Sequence, residues 1–170
     1  MRALAGFSLI ATLLIAHPAL SVGAGGLSSP PGLAELTPRE AAIVKTFRRG
    51  VQMMGQGDYS GALKNFSSVV KADPGNADGI AYLGLALEKV DRPDLAFKSY
   101  RRALLIDPHH REAHEFLGSY FLTRDEPAKA RKLLARLRDL CPFGCAEETG
   151  LGRAIADYEA QRAALTPAEE

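Results

Sequence analysis

Four kinds of residue recur in this chain with a single period. Pro74, Pro108 and Pro142 are 34 residues apart. Ala62, Ala96 and Ala130 keep that spacing, as do Gly50, Gly84 and Gly118, and so does the bulky set Phe66, Tyr100 and Leu134. A fixed period of this length signals a stack of supersecondary units, each too small to bury its own apolar face. The residue types say what the unit is. Two antiparallel helices need small residues where their backbones approach, so Gly84 on a first helix is expected to face Ala96 on a second. Tyr100, one turn beyond Ala96, fills the space beside it. Pro108 cannot continue a helix and ends the second one. Pro93 and Pro127 stand where second helices begin, a position that tolerates the missing N–H. Asp91 and Asp125, two residues earlier, are expected to accept backbone N–H groups there or to complement the positive helix end.

The pattern resembles the tetratricopeptide repeat family. Residues 77–110 carry it most fully, through Leu83-Gly84, Leu87, Ala96, Tyr100, Ala103 and Pro108. Residues 43–76 match through Gly50, Gly57-Asp58-Tyr59, Ala62, Phe66 and Asp73-Pro74, and residues 111–144 through Leu117-Gly118, Phe121, Ala130, Leu134 and Pro142. The resemblance implies an all-α fold, an α-solenoid of three helical hairpins. Thr46 and Arg49 occupy places where the family carries apolar residues. The first helix is therefore expected to be rotated or shifted, with Ile43, Phe47, Val51 and Met54 as its apolar stripe. Beyond Pro142, Leu151, Ile155 and Tyr158 recur at helical spacing among charged residues. Residues 146–165 are expected to form a capping helix over the last hairpin, followed by a frayed tail at 166–170.

The N-terminus has the form of a secretory signal. Arg2 precedes an apolar run from Leu4 to Ala16, broken by His17 and Pro18 and followed by small residues. Residues 1–24 are assigned to the signal, with cleavage after Ala24, Ser21 as a second site and a retained anchor as the alternative. The expected destination is oxidising and extracytoplasmic, periplasmic first and secreted second. Residues 25–36 are Gly-, Ser- and Pro-rich and read as a flexible linker. Thr37, Pro38 and Glu40 then form the signature of a capped helix start, opening a repeat domain over 37–165. The formal net charge of the whole chain is +1. Without an excess of one sign there is no argument for nucleic acid or for an anionic membrane surface as partner.

The resemblance also implies where a partner would bind, on the face lined by the first helix of each hairpin. Carried over position by position, it names Val44, Phe47, Val51 and Met54 in the first unit. The second unit gives Asp78, Ala81, Leu85, Glu88 and Lys89, and the third gives Glu112, Glu115, Ser119 and Leu122, with Tyr82 and Phe116 at the margin. Family members that clamp a C-terminal carboxylate place Lys, Asn and Arg at positions held here by Phe47, Val51, Ala81 and Glu115, so clamping is not expected. An amphipathic helix or extended apolar segment of another protein is the expected ligand. The competing reading fills that face with the chain's own linker or capping helix.

Cys141 and Cys145, the only cysteines, bracket Pro142-Phe143-Gly144. In an exported chain the pair reads as a structural disulfide contributing about 2 kcal/mol. Two sharper readings stay open, thiol-redox chemistry and Cu(I) handling by Cys-x-x-x-Cys. His110 and His114, four apart, have metal-pair spacing, but His109 and His110 suit a polar turn and His114 a packing position that favours a ring. The chain has neither a phosphate-binding Gly-rich loop nor a nucleophile elbow. It is expected to be no enzyme and to need no cofactor or metal, working as an exported adaptor, scaffold or assembly factor. Self-association through the same face or a stack end is the third reading.

Overall fold

The structure, a computed structural model, describes residues 36–165. The expected signal, most of the expected linker and the expected frayed tail lie outside the described residues. The order is α1 (Pro38–Gly55), α2 (Tyr59–Ala72), α3 (Ala77–Lys89), α4 (Pro93–Ile106), α5 (Arg111–Thr123), α6 (Pro127–Leu140) and α7 (Ala146–Leu165). Helices α1–α2, α3–α4 and α5–α6 form three antiparallel hairpins, and α7 packs on both α5 and α6. No strand occurs among the described residues.

Local chemistry fixes the helix starts. Thr37 Oγ1 accepts from the Glu40 N–H at 3.2 Å while Glu40 Oε2 accepts from the Thr37 N–H at 2.8 Å, a reciprocal box. Asp58 caps α2 and Asn76 caps α3 through side-chain oxygens on Gly61 and Gly79 N–H groups. Pro93 and Pro127 occupy the first turns of α4 and α6.

Asp91 and Asp125 do something other than cap. The residues at the starts of α4 and α6 are Arg92 and Glu126, neither with a capping side-chain bond. Both aspartates instead have positive φ, 58° and 60°, in the position that Gly57 fills at φ 78° in the first hairpin. The Arg92 N–H bonds back to Leu87 O at 2.9 Å and the Glu126 N–H to Phe121 O at 2.9 Å, as the Asp58 N–H does to Met53 O at 3.0 Å. These are left-handed turns closing the first helix of each hairpin, a conformation aspartate tolerates better than most residues.

The glycine register shows how the hairpins close. A Cβ on Gly50 would lie 2.7 Å from the Phe66 ring, and one on Gly84 2.6 Å from the Tyr100 ring. Only glycine leaves room for those rings. This places α1 in the same register as α3, so the expected rotation does not occur. Gly50 is buried, Phe47, Met53 and Met54 pack on the core, and Val51 is 39% exposed at the margin. In the third hairpin the partner changes. The atoms nearest a Cβ on Gly118 belong not to Leu134 but to Leu151 of α7, at 2.5 Å. Leu151-Gly152 itself continues the Leu83-Gly84 and Leu117-Gly118 register at 34 residues. Helix α7 thus stands as the first helix of a further unit, a signal present in the sequence beyond Pro142.

Candidate partner-binding face

The first helices adjoin one another, α3 touching α1 and α5, and α5 touching α7. Across them runs a row of rings. Phe47 and Tyr82 meet edge-on at 5.1 Å between centroids, and Tyr82 and Phe116 at 5.4 Å. Helical spacing sets Val51 one turn from Phe47, Asp78 and Leu85 either side of Tyr82, and Glu112 and Ser119 either side of Phe116. Val44, Phe47, Met54, Tyr82, Leu85, Glu112, Glu115, Phe116 and Ser119 are partly exposed, and Asp78 and Lys89 are exposed.

Other residues of the expected set are occupied or hidden. Ala81 is 0% exposed and packs with Ile80, Ala103 and Ala113 where α3 meets the next hairpin. Its methyl group is enclosed at that junction, so Ala81 is a core residue. Leu122 is likewise buried in the cluster with Leu134, Leu151 and Ile155. Glu88 accepts a 2.8 Å hydrogen bond from the hydroxyl of buried Tyr100, which commits it to the repeat's own interior. Ser119 lines a cleft with Thr123, Ala154, Asp157 and Tyr158 between α5 and α7.

The third-hairpin end is acidic and partly covered by α7. A Cβ added at Gly150 of α7 would collide with the Glu115 carboxylate, so the missing side chain makes that carboxylate's berth. Burial, then the charges of Glu147 and Glu112, push Glu115 up to about 7. Burial also raises the Tyr82 hydroxyl, with further contributions from Glu112, Asp78, Glu115 and Glu147. One tyrosine thus feels four carboxylates from α3, α5 and α7. One oxygen of Glu147 is buried without a hydrogen-bond partner.

The histidines take separate places. His110, 5% exposed, caps α5 by accepting the Ala113 N–H at Nδ1, 3.3 Å, and its Nε2 lies 3.1 Å from Asp78 Oδ1. Burial lowers its pKa, but Asp78, Glu112 and Asp107 outweigh that and the net direction is up, while Asp78 is held down by the same contact. His114 is buried with Nε2 3.0 Å from Pro108 O, and burial lowers it. Cys141 and Cys145 are joined as a disulfide with Cα atoms 5.7 Å apart. It closes the α6–α7 turn and leaves Phe143 101% exposed at the tip. The two sulfurs and a Glu147 oxygen lie within 4.8 Å of one another, so the pair, if reduced, would have a carboxylate beside it. Arg131 joins α6 to α7 through Glu159 at 2.6 Å. No described helix is long and apolar enough to cross a membrane.

Comparison with known proteins agrees with this architecture. The chain is 32% identical over 107 residues to an inactive TPR repeat-containing thioredoxin of Arabidopsis thaliana, covering 62% of this chain and 15% of that protein. It spans 15% or less of the curated relatives it matches. Among solved structures it is similar to the translocator chaperone SycD of Yersinia enterocolitica type III secretion. The TM-score is 0.62 at 17% identity, over 72% of this chain and 95% of that one. It is also similar to the first TPR of Spaghetti (RPAP3), solved with the HSP90 peptide SRMEEVD. Here the TM-score is 0.59 at 20% identity, over 69% and 93% of the two chains. These likenesses establish the fold. The tetratricopeptide repeat description itself matches residues 47–107 and 83–144, more than half of the chain, and the chain belongs to the tetratricopeptide repeat family of protein-interaction modules.

Proposed function

We propose that this chain is an exported, periplasmic or secreted, adaptor or assembly factor that holds a segment of another protein on the face built by α1, α3 and α5. The observation that carries the reading is the ring row Phe47–Tyr82–Phe116 with partly exposed Val51 and Leu85 beside it. Rings and aliphatic side chains held on rigid helices bury partner surface at little conformational cost. Support comes also from the similar peptide-bound RPAP3 domain. The apolar N-terminal run supports export, and the Cys141–Cys145 bond suits an oxidising compartment.

The test is capture from the native compartment by the tagged chain, beside a Val51→Glu, Leu85→Glu variant. Ala81 is unsuitable for such a probe, since a carboxylate there would break the core. A partner taken by wild type and lost by a folded variant supports the reading. Equal capture by both moves the contact to another surface. Thiol-redox or copper chemistry at Cys141 and Cys145 is the second reading, favoured only by the adjacent Glu147 oxygen. Labelling of free thiols in the native protein separates it from a structural bond.

A further inference from the structure

The proposed face is not electrically uniform. Its first-hairpin end presents Phe47, Val51 and Met54, whereas toward the third hairpin Asp78 lies one turn from Tyr82, Glu112 lies one turn from Phe116, and Glu115 seats against Gly150 of α7. With Glu147 these carboxylates raise the hydroxyl of Tyr82, whose ring meets Phe116 edge-on. Among the described residues no lysine or arginine forms an ion pair with any of these four; Asp78 and Glu112 meet only His110. Elsewhere four carboxylates do meet a lysine or arginine, Glu126 with Lys129, Glu159 with Arg131, Glu148 with Arg138 and Asp125 with Arg162. The cluster is also built at a cost. A glycine inside a helix is about 1 kcal/mol less favourable than alanine. Gly150 accepts that cost, and its bare Cα seats the Glu115 carboxylate against α7.

Partly buried like charges such as Glu112, Glu115 and Glu147, with exposed Asp78 beside an aromatic row, are suited to a cation. The charge relieves their mutual repulsion, the reduced dielectric strengthens the attraction, and the rings add a cation–π contact. Residues 25–36 and 166–170 bring no lysine or arginine side chain to it; the first segment contains one Glu and the second two.

We propose that the third-hairpin end of this face receives the ammonium or guanidinium of a lysine or arginine in the bound protein segment, beside Tyr82, Phe116 and the carboxylates of Asp78, Glu112, Glu115 and Glu147. The assignment rests on the adaptor reading and adds the chemistry of its ligand. Centroid steps of 5.1 and 5.4 Å carry the ring row from Phe47 to Phe116 over about 10 Å, which roughly three extended residues span. The ligand is therefore a basic residue about three positions from an apolar one. Glu115 titrates near 7 among Glu112, Glu147, Asp78, Tyr82 and His110. A bound cation favours its ionised form, so binding releases protons and tightens as pH rises from 6 to 8.

Matched blocked peptides test this on the full chain by fluorescence anisotropy. Each carries one leucine and, three positions away, Lys, Gln or Glu. The expected result is that the Lys peptide binds about ten-fold tighter than the Gln peptide at pH 8, with a smaller ratio at pH 6. A Glu115→Gln, Glu147→Gln variant, near-isosteric and checked by circular dichroism, should bind Lys and Gln peptides alike. Equal binding of Lys and Gln peptides by wild type, lost in Val51→Glu, keeps the adaptor reading and overturns the cation assignment. Binding of none of the peptides overturns the cation assignment. Peptide binding that survives Val51→Glu, Leu85→Glu overturns the adaptor reading for this face. A chain whose mass rises with concentration, and falls in the Gln variant, would overturn the assignment to another protein by giving the site to a second copy.

Discussion

The first and third hairpins solve one packing problem in different ways. Both place a glycine where the helices cross. In the first hairpin the ring of Phe66, from the same unit, covers Gly50; in the third, Leu151 of the following helix covers Gly118. The first unit is therefore closed by its own residues and the third is closed by its neighbour. That difference turns α7 from a lid into part of the third unit's interior, and through Gly150 and Glu147 it also shapes the acidic end of the candidate face.

The sharpest way to break this comparison is Leu151→Ala. Leu151 is fully buried, and truncation of such a leucine costs about 3 kcal/mol. Denaturant unfolding should show a larger loss than for Leu134→Ala, since Leu134 keeps 8% of its surface exposed while Leu151 keeps none. An equal or smaller loss would return α7 to the status of a cover.

Next in size is the disulfide. Replacing Cys141 and Cys145 by serine should cost about 2 kcal/mol, the chain-entropy term for so short a loop. Because the bond joins α6 to α7, hydrogen exchange should rise first in α7 and last in α3 and α4. Uniform loosening of the stack would contradict the dependence of the third hairpin on α7.

A smaller effect separates the acidic end from the apolar one. The Glu115 carboxyl goes from 4.5 to about 7 on folding. A raised acid favours folding in its protonated form, so its penalty is absent below about 4.5, grows between 4.5 and 7, and is complete above 7. Glu115→Gln should therefore stabilise the protein by about 1 kcal/mol at pH 8, after discounting for solvent screening. At pH 4 the change should be close to zero. Thermal melts at the two pH values read the difference.

Smallest are the left-handed turns. Asp91→Gly should gain about 0.5 kcal/mol by relieving positive φ. Asp125→Gly should gain less, because the Asp125 carboxylate accepts from the Tyr158 hydroxyl and lies 3.6 Å from Arg162 of α7. Equal gains would mean that this tether to α7 contributes nothing to the third unit.

Much of the fold was legible because repeats write one contact several times. Glycine, alanine, ring and proline at one period identified the hairpins, since each residue type answers a steric demand that recurs in every unit. Thr37 and Glu40 gave the start of α1 for a similarly local reason. What escaped depends on more than one unit. That Asp91 and Asp125 adopt positive φ follows from their equivalence to Gly57, visible only when the turns are superposed. Thr46 and Arg49 suggested a displaced α1, yet Gly50 against Phe66 holds the common register whatever flanks it. The candidate face was legible as a set of positions rather than as exposures. Ala81 and Phe47 share one repeat position, but alanine sinks between hairpins and phenylalanine stands up into the ring row. The Glu115–Gly150 contact joins residues of different units, and no local pattern announces it.

The central claim, that the α1–α3–α5 face holds a segment of another protein, is tested most directly by site-specific photo-crosslinking in the native compartment. A photoreactive side chain would replace Val51 or Leu85 in turn, with Leu105, 78% exposed on a second helix, as the control position. The account predicts one partner crosslinked from Val51 and Leu85 and not from Leu105. Crosslinks from Leu105 alone, or from all three positions alike, would contradict it.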